Sequence, residues 1–380
     1  MHTTPRTPTR PGERLRLVVF GLTVSSSWGN GHATLWRALI AALARDGHHV
    51  TFFERDVPYY AAHRDLSALP GAELVLYADW ADVQDHARRA VAECDAAMVT
   101  SYCPDAIEAT RLLDDAPAHV VRSFYDLDTP VTLARLDAGE AVAYLPPDGL
   151  GTFDIVLSYT GGAALDALRH RLGARRVAPL YGSVDPAVHR PGTARADWRC
   201  DLSYIGTYAA DRQAAVETLF LEPARARPEG RFVLAGSQYP SDFAWAPNVW
   251  YLAHLPPGDH PDFYASGRLT LNVTRGAMAA MGWCPSGRLF EAAACGVPIL
   301  TDWWAGLDSF FEPGSEMLVA RTTADALAAL DLDDAALAAV ARRARERTFA
   351  EHTAERRARE LVAALASSRA SMAEPVTTER

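Results

Sequence analysis

Short apolar runs alternate with amphipathic stretches along the chain, and this alternation predicts a repeated strand and helix plan. An apolar run at 15–22 is followed by a small, polar loop at 23–31, a helix over 33–45 and a second strand at 49–53. Continuous apolar runs of this length are typical of parallel strands buried on both faces. Further strands are predicted at 72–76, 96–100, 119–123, 153–158 and 177–180, and helices at 83–92, 106–113 and 162–172. This order predicts a doubly wound parallel sheet.

The same alternation starts again after an irregular stretch at 181–191, where glycine and two prolines interrupt the pattern. Strands are predicted at 201–205, 231–235, 249–252, 269–273 and 297–300, and helices at 262–265, 286–295, 324–330, 334–347 and 351–366. We therefore predict an α/β protein with two Rossmann-like domains, 14–182 and 183–348, and a separate C-terminal helix at 349–366. The polar segments 1–13 and 367–380 are predicted to be disordered tails.

Composition narrows the classes of protein that fit. The chain has 380 residues, 49% of them hydrophobic, which suits two globular domains with their own cores. A net charge of −10 argues against a nucleic-acid partner. The cysteines lack the spacing of a disulfide framework or a zinc site, which favours reduced thiols and a cytoplasmic location. The sequence contains no run of about 20 apolar residues, as a transmembrane helix would need. The first 13 residues lack the apolar core of a signal peptide.

One helix, predicted to begin at Ser286 and end at Gly296, carries the strongest functional signal. Ser286 is suited to cap the helix, and Gly296 followed by Pro298 stops it. Glu291 stands alone among small and apolar neighbours within this helix. Ser286, the backbone of Gly287 and the guanidinium of Arg288 lie at its start, where the helix dipole favours phosphate oxygens.

The helix and its surroundings, RLFEAAACGVP followed by TD and GLDSFFEPG, resemble the donor-binding signature of GT-B glycosyltransferases, most closely the CgeB-like group. The resemblance implies two Rossmann-like domains facing each other across a cleft, with the last helix returning to the first domain. It also implies that Glu291 holds the ribose hydroxyls of a nucleotide sugar. Many retaining members carry a second glutamate eight residues earlier, where this chain has Trp283, so the stereochemical outcome stays open.

Ligands of open α/β sheets bind at the carboxyl ends of the strands, and this rule selects the other donor-side candidates. Gly206 and Thr207 are expected beneath the pyrophosphate. Arg212 and Arg288 would offset the diphosphate charge, and Arg275 would contact phosphate or base; surface salt bridges are the alternative for these arginines. Asp302 is a candidate for sugar hydroxyls beside Trp303 and Trp304, although a pair of core aromatics explains the tryptophans equally well.

The acceptor side is predicted in the first domain, in the loop that contains Trp28, Gly29, Asn30 and Gly31. This loop lacks the glycine spacing of a dinucleotide fingerprint. His32 is the leading candidate for a general base, because its ordinary pKa lies near working pH. Capping of the adjoining helix or contact with donor phosphate is the alternative.

Asp126 and Asp128 form a second candidate group, which we expect in an exposed loop stiffened by Pro130. Either carboxylate could orient His32, bind the acceptor or act as the base. The two also spell D-x-D, a metal-binding alternative, but the resemblance implies no essential metal, and we expect no cofactor. Glu54 and Asp56 are a weaker pair that a solvated turn would also explain.

These residues predict a glycosyltransferase that moves a hexosyl group from a UDP-, dTDP- or GDP-linked sugar to a hydroxyl of a small molecule, glycan or protein. A non-hydrolysing nucleotide-sugar epimerase and a non-catalytic nucleotide-sugar-binding protein are the alternatives. The sequence does not specify the base, the sugar, the acceptor or the oligomeric state.

Overall fold

The computed structural model describes residues 14–373 and contains two parallel sheets, each covered by helices. The first sheet and its helices comprise β1 (Arg16–Gly21), α1 (His32–Arg45), β2 (His49–Arg55), α2 (Pro58–Ala61), β3 (Glu73–Tyr77), α3 (Trp80–Glu93), β4 (Ala96–Thr100), α4 (Ala106–Asp114), β5 (Val121–Asp126), α5 (Thr129–Asp137), β6 (Ile155–Ser158), α6 (Ala163–Leu172) and β7 (Val177–Pro179). The strand order is β3-β2-β1-β4-β5-β6-β7. The order reverses between β1 and β4, which opens a crevice at the carboxyl ends of the strands.

The second sheet has the same winding, with strand order β10-β9-β8-β11-β12-β13. Its elements are β8 (Cys200–Ile205), α7 (Gln213–Val216), a π-helical turn (Glu217–Leu221), α8 (Glu222–Ala226), β9 (Phe232–Ala235), β10 (Val249–Leu252), α9 (His260–Ser266), β11 (Gly267–Asn272), α10 (Gly276–Met281), α11 (Gly287–Cys295), β12 (Ile299–Thr301), β13 (Leu318–Val319), α12 (Thr323–Leu330) and α13 (Asp334–Glu351). Short 3-10 turns lie at Ala196–Trp198, Ala210–Arg212, Pro257–Asp259 and Leu307–Ser309.

The last helix, α14 (Ala354–Ala373), returns to the first sheet. Its apolar residues Ala358, Leu361 and Leu365 are buried in the same core as α1 and β1. The chain thus crosses between the two sheets twice, and the two crossings pair with each other. The amide of Val184 donates to the carbonyl of His352 at 3.1 Å, and the amide of Ala354 donates to the carbonyl of Val184 at 2.8 Å.

The structure confirms the predicted fold class and corrects several details. Helix α5 was missed, although an aspartate at the N-cap position followed by Thr-Pro is a helix start signal. Helices α2 and α10 were also missed. Helix α14 runs to Ala373, so the tail predicted at 367–380 begins too early. Residues 374–380, and the tail predicted at 1–13, lie outside the described residues. Within 14–373, no helix has the length and apolar character that crossing a bilayer requires.

Arg357 holds the two crossings together, and its removal should destabilise the protein. Its guanidinium is buried and donates to the carbonyls of Gly182 at 3.2 Å and Glu351 at 3.4 Å. We expect Arg357→Ala to lower the free energy of unfolding by about 2–4 kcal/mol, because buried acceptors lose their donor. Urea denaturation measures this change.

The neighbouring Arg356 is the matched control, because among the described residues its side chain pairs only with Glu360, at the surface and at 3.2 Å. Arg356→Ala should cost less than about 1 kcal/mol. Equal losses in the two variants would show that the buried contacts of Arg357 do not stabilise the crossing.

Candidate active site

The carboxyl ends of both sheets face a common cleft with a volume of about 1040 Å³. Loops after β1, β5 and β6 line one side, and loops after β8, β9, β10 and β11 line the other. The two halves touch beside the cleft: the amide of Gly161 donates to the carbonyl of Trp283 at 2.9 Å, and the hydroxyl of Tyr159 donates to the carbonyl of Pro285 at 2.7 Å. Trp283, at the position of the absent second glutamate, is therefore part of the contact between the halves.

Helix α11 points its first turn into the cleft. Ser286, Gly287, Arg288 and Glu291 all line it. Ser286 occupies the predicted N-cap position, but its hydroxyl accepts from Nε of Arg288 at 3.1 Å and caps no backbone amide. The amide of Leu289 donates to the carbonyl of Ser286 at 3.0 Å, whereas the amides of Gly287 and Arg288 have no partner among the described residues, which suits them to an anion.

Glu291 is 8% exposed and faces two histidines that the sequence analysis did not select. Its carboxylate lies 3.9 Å from Nε2 of His189 and 3.7 Å from Nδ1 of His260. Burial acts to raise the pKa of Glu291, but His189, His260 and Arg288 together lower it to about 2. Glu291 is therefore ionised at neutral pH.

Arg212 and Arg288 both line the cleft; Arg212 is buried, and Arg288 is partly buried. Arg212 donates to the carbonyl of Thr207, and Arg288 donates to the carbonyl of Ile205. Across residues 14–373, neither guanidinium forms a salt bridge with a carboxylate. Burial lowers the pKa of Arg212, and the positive charge of Arg288 acts in the same direction. The alternative prediction, that Arg212 and Arg288 form surface salt bridges, is therefore wrong.

Arg275 also lines the cleft, but it pairs with Asp211 at 3.3 Å at the surface. This is the surface salt bridge that the sequence analysis gave as the alternative to phosphate contact. Two positive charges on this side, those of Arg212 and Arg288, therefore lack an acidic partner among the described residues.

Gly206 and Thr207 lie at the end of β8 on the cleft wall, as predicted. A Cβ at Gly206 would come within 2.9 Å of the Arg288 guanidinium, and one at Gly236 would come within 2.0 Å of the Gly206 carbonyl oxygen. Only glycine therefore allows the β8 and β9 loops to pack this closely above Arg288.

Asp302 does not line the cleft, in contrast to its predicted contact with sugar hydroxyls. Its carboxylate accepts from the amide and the hydroxyl of Thr274, both at 3.0 Å, and so fixes the loop that carries Arg275. Trp304 is buried in the core, and Trp303 is exposed beneath Arg321. The two tryptophans do not form a shared apolar face for a sugar.

On the opposite wall, His32 and Asp128 both line the cleft. Nε2 of His32 lies 3.8 Å from Oδ2 of Asp128, and the hydroxyl of Tyr102 donates to the same oxygen at 2.9 Å. Tyr102 has a positive φ of 65°, a conformation that side chains rarely adopt. The structure thus brings an imidazole and a carboxylate to this wall of the cleft, with the phenol of Tyr102 hydrogen-bonded to the carboxylate. Sequence reasoning missed Tyr102, because its strained position after β4 has no local signature.

Asp126 and Asp128 do not lie in an exposed loop. Asp126 ends β5 and is 0% exposed, and Asp128 occupies the N-cap position of α5. Oδ1 of Asp126 accepts from the amide of Asp128 and the hydroxyl of Thr132, both at 3.1 Å, whereas Oδ2 has no hydrogen-bond partner in the described chain. Asp126 therefore supports the site from behind and does not reach the cleft.

The loop after β1 is organised by Glu54, which the sequence analysis ranked as weak. Glu54 is buried and accepts from the amides of Val24 and Ser25 at 2.8 and 3.0 Å and from the hydroxyl of Thr23 at 2.6 Å. The alternative prediction, that Glu54 lies in a solvated turn, is therefore wrong. Asp56 instead pairs with Arg64 at 2.5 Å.

Gly29, Asn30 and Gly31 line the cleft as part of this loop. Trp28 does not; its ring lies between those of His63, at 4.2 Å, and His254, at 4.4 Å. His254 belongs to the second half of the molecule, so Trp28 bridges the two halves at the edge of the cleft.

The burial of Asp126 predicts a pH-dependent stability. Burial is the largest influence and raises its pKa from 3.8 to about 6, against the lowering effect of its hydrogen bonds. A raised pKa means that the folded state binds the proton more tightly, so this stabilising contribution is complete below pH 3.8 and is lost as pH rises through 6. Asp126→Asn should therefore gain stability relative to wild type across that interval, by at most about 3 kcal/mol.

Urea denaturation of both proteins at pH 4, 5.5 and 7 measures this gain, and the difference between them cancels the contribution of other groups. A constant difference at all three values would contradict the raised pKa.

Residues 212–363 match the sequence model of a family described as glycosyl transferase-like. No curated protein matches the chain. Among solved structures, sucrose-phosphate synthase from Thermosynechococcus elongatus is similar with a TM-score of 0.69, at 16% identity over 94% of this chain and 100% of that one.

Two further structures are similar across both halves. An alpha-glucosyltransferase in complex with UDP-glucose and DNA containing an abasic site has a TM-score of 0.69 at 12% identity, over 93% of this chain and 100% of that one. Anabaena Alr3699/HepE in complex with UDP and glucose has a TM-score of 0.62 at 13% identity, over 93% and 100%. The chain therefore has the GT-B fold of these glycosyltransferases, and its second half carries the glycosyl transferase-like sequence pattern.

Proposed function

We propose that this protein is a glycosyltransferase that moves a hexosyl group from a nucleotide sugar to an acceptor hydroxyl. The observation that carries the proposal is a pair of guanidinium groups that line the cleft without a salt bridge in the described residues, buried Arg212 and partly buried Arg288. Buried charge of one sign is costly unless a ligand neutralises it. The diphosphate of a nucleotide sugar supplies two or more negative charges at this position.

The donor side would hold the nucleotide through three kinds of contact. Arg212 and Arg288 would bind diphosphate oxygens, the free amides at the start of α11 would donate to them, and ionised Glu291 would accept from the ribose hydroxyls. Solved structures of this fold that contain UDP or UDP-glucose favour a UDP-linked donor over dTDP- or GDP-linked ones. The sequence phrase around Glu291 favours the CgeB-like group.

The acceptor side would supply the base. His32 would take the proton of the acceptor hydroxyl as its oxygen bonds to the anomeric carbon, while the bond from that carbon to the diphosphate breaks. Asp128, fixed by Tyr102, would orient the imidazole and stabilise its protonated form. The leaving diphosphate would keep its charge beside Arg212 and Arg288.

These contacts need no divalent metal at the diphosphate, so we propose metal-independent transfer. The acceptor would be a small molecule, glycan or protein, because a net charge of −10 disfavours a nucleic acid. The free cysteines are consistent with the cytoplasmic location that we propose.

Removal of the proposed base should affect turnover more than donor binding. His32→Ala should lower kcat by about 10²–10⁴-fold with little change in donor KM. Asp128→Asn should lower kcat less, because it orients the base without taking the proton. Initial rates with UDP-glucose and a panel of acceptors, measured with and without EDTA, provide the readout.

His63→Ala is a suitable histidine control, because His63 contacts Trp28 at the edge of the cleft. Unchanged kcat in His32→Ala would remove His32 from the chemistry, and loss of activity with EDTA would contradict metal-independent transfer.

Substitution of Arg288, which has no salt bridge in the described chain, should weaken UDP binding more than substitution of Arg275, which has one. Arg288→Ala should weaken UDP binding by about 1.5–3 kcal/mol, the range for hydrogen bonds to charged groups. Arg275→Ala should weaken it much less, because Arg275 already pairs with Asp211 at the surface. Isothermal titration calorimetry with UDP compares them; equal affinities for the two variants would contradict a diphosphate at Arg288.

A further inference from the structure

Three side chains face one another in the wall of the cleft, each from a different segment. His189 lies in the connection between β7 and β8, His260 begins α9, and Glu291 lies on α11. One nitrogen of each histidine and a carboxylate oxygen of Glu291 lie within 4.8 Å of one another. All three residues are buried, and His260 and Glu291 also line the cleft.

The three groups do not satisfy each other by hydrogen bonding. The carboxylate of Glu291 is 3.9 Å from Nε2 of His189 and 3.7 Å from Nδ1 of His260, beyond hydrogen-bond length. Neither ring nitrogen of His189, nor Nδ1 of His260, has a hydrogen-bond partner among the residues described. Each buried polar atom left without a partner costs about 1–3 kcal/mol. Such an arrangement indicates a ligand that lies between the three groups.

A ribose in the cleft would satisfy only part of this cluster. It could reach Glu291 and His260, which line the cleft, but His189 lies behind them and is 2% exposed. A small ion between the side chains would meet all three.

We propose that Nε2 of His189, Nδ1 of His260 and the carboxylate of Glu291 bind a divalent transition metal of the zinc type. Two imidazoles and one carboxylate form a ligand set that zinc uses with a fourth position open. Imidazole nitrogen disfavours magnesium and calcium, which prefer oxygen. Ligand atoms around zinc lie roughly 3.4 Å apart in tetrahedral geometry, so the observed spacing requires only a small inward movement of the side chains.

The proposed metal would share Glu291 with the nucleotide. If the proposed function is right, metal and nucleotide therefore compete, and zinc inhibits transfer that needs no metal. This consequence rests on the proposed function, whereas the metal site itself does not.

Metal binding is tested on the full-length protein after EDTA treatment and desalting. Isothermal titration with ZnCl₂ at pH 7.5 should show one strong site per chain. Titration with CoCl₂ should give visible d–d absorption without the near-ultraviolet thiolate charge-transfer band, because the cluster contains no cysteine. His189→Gln and His260→Gln should each weaken zinc binding by at least about tenfold, since the loss of even an outer-shell partner has that effect.

His254→Gln is the matched control, because His254 lines the same cleft but lies outside the cluster, and it should bind zinc like wild type. Thermal unfolding of each variant without metal checks that it is folded. The proposal is overturned if wild type shows no saturable zinc binding, if a thiolate charge-transfer band shows that cysteines hold the metal, or if both cluster variants bind zinc as tightly as wild type.

The competition is measured separately by titrating UDP into protein with and without one equivalent of zinc. We expect zinc to weaken UDP binding by at least tenfold. If UDP does not bind even without zinc, the proposed function fails while the metal site stands; if UDP and zinc bind together without mutual effect, Glu291 does not serve both.

Discussion

The proposed diphosphate site depends on two positive charges at one wall of the cleft, those of buried Arg212 and partly buried Arg288. Among the described residues, their guanidinium groups donate to backbone carbonyls and one serine hydroxyl and form no salt bridge with a carboxylate. Desolvation of such groups costs several kcal/mol per ion, and the rest of the fold must offset that cost. The benefit is a cleft arranged in advance for an anion, because binding a diphosphate then needs no rearrangement of the positive charges.

The remaining architecture keeps this wall in front of the candidate base. The pairing of Val184 with the start of α14 and the buried guanidinium of Arg357 join the two chain crossings. Trp283 joins the halves through its carbonyl and through its ring, which would meet a Cβ at Gly162 at 2.6 Å. His32 and Asp128 therefore face the donor wall across the cleft.

The sequence predicted the features that local patterns encode. Apolar runs marked the strands of both sheets, and the phrase around Glu291 marked the helix that enters the cleft. Features that depend on distant contacts were missed. The sequence pattern suggests that Asp126 lies in a loop, but β5 extends to it. Asp302 follows a strand, as ligand-binding residues often do, but its carboxylate accepts from the amide of Thr274. His189 and His260 are 71 positions apart in the sequence, and only the packing of α9 and α11 against the connecting segment brings them to Glu291.

The most direct test of the account is calorimetric titration of the wild-type protein with uridine, UMP and UDP under identical conditions. If Arg212 and Arg288 bind a diphosphate, affinity rises with each phosphate, and UDP binds more tightly than uridine by at least about 3 kcal/mol, the sum of two charged hydrogen bonds at the low end of their range. Equal affinity for uridine and UDP, or no binding of UDP, would contradict the central claim.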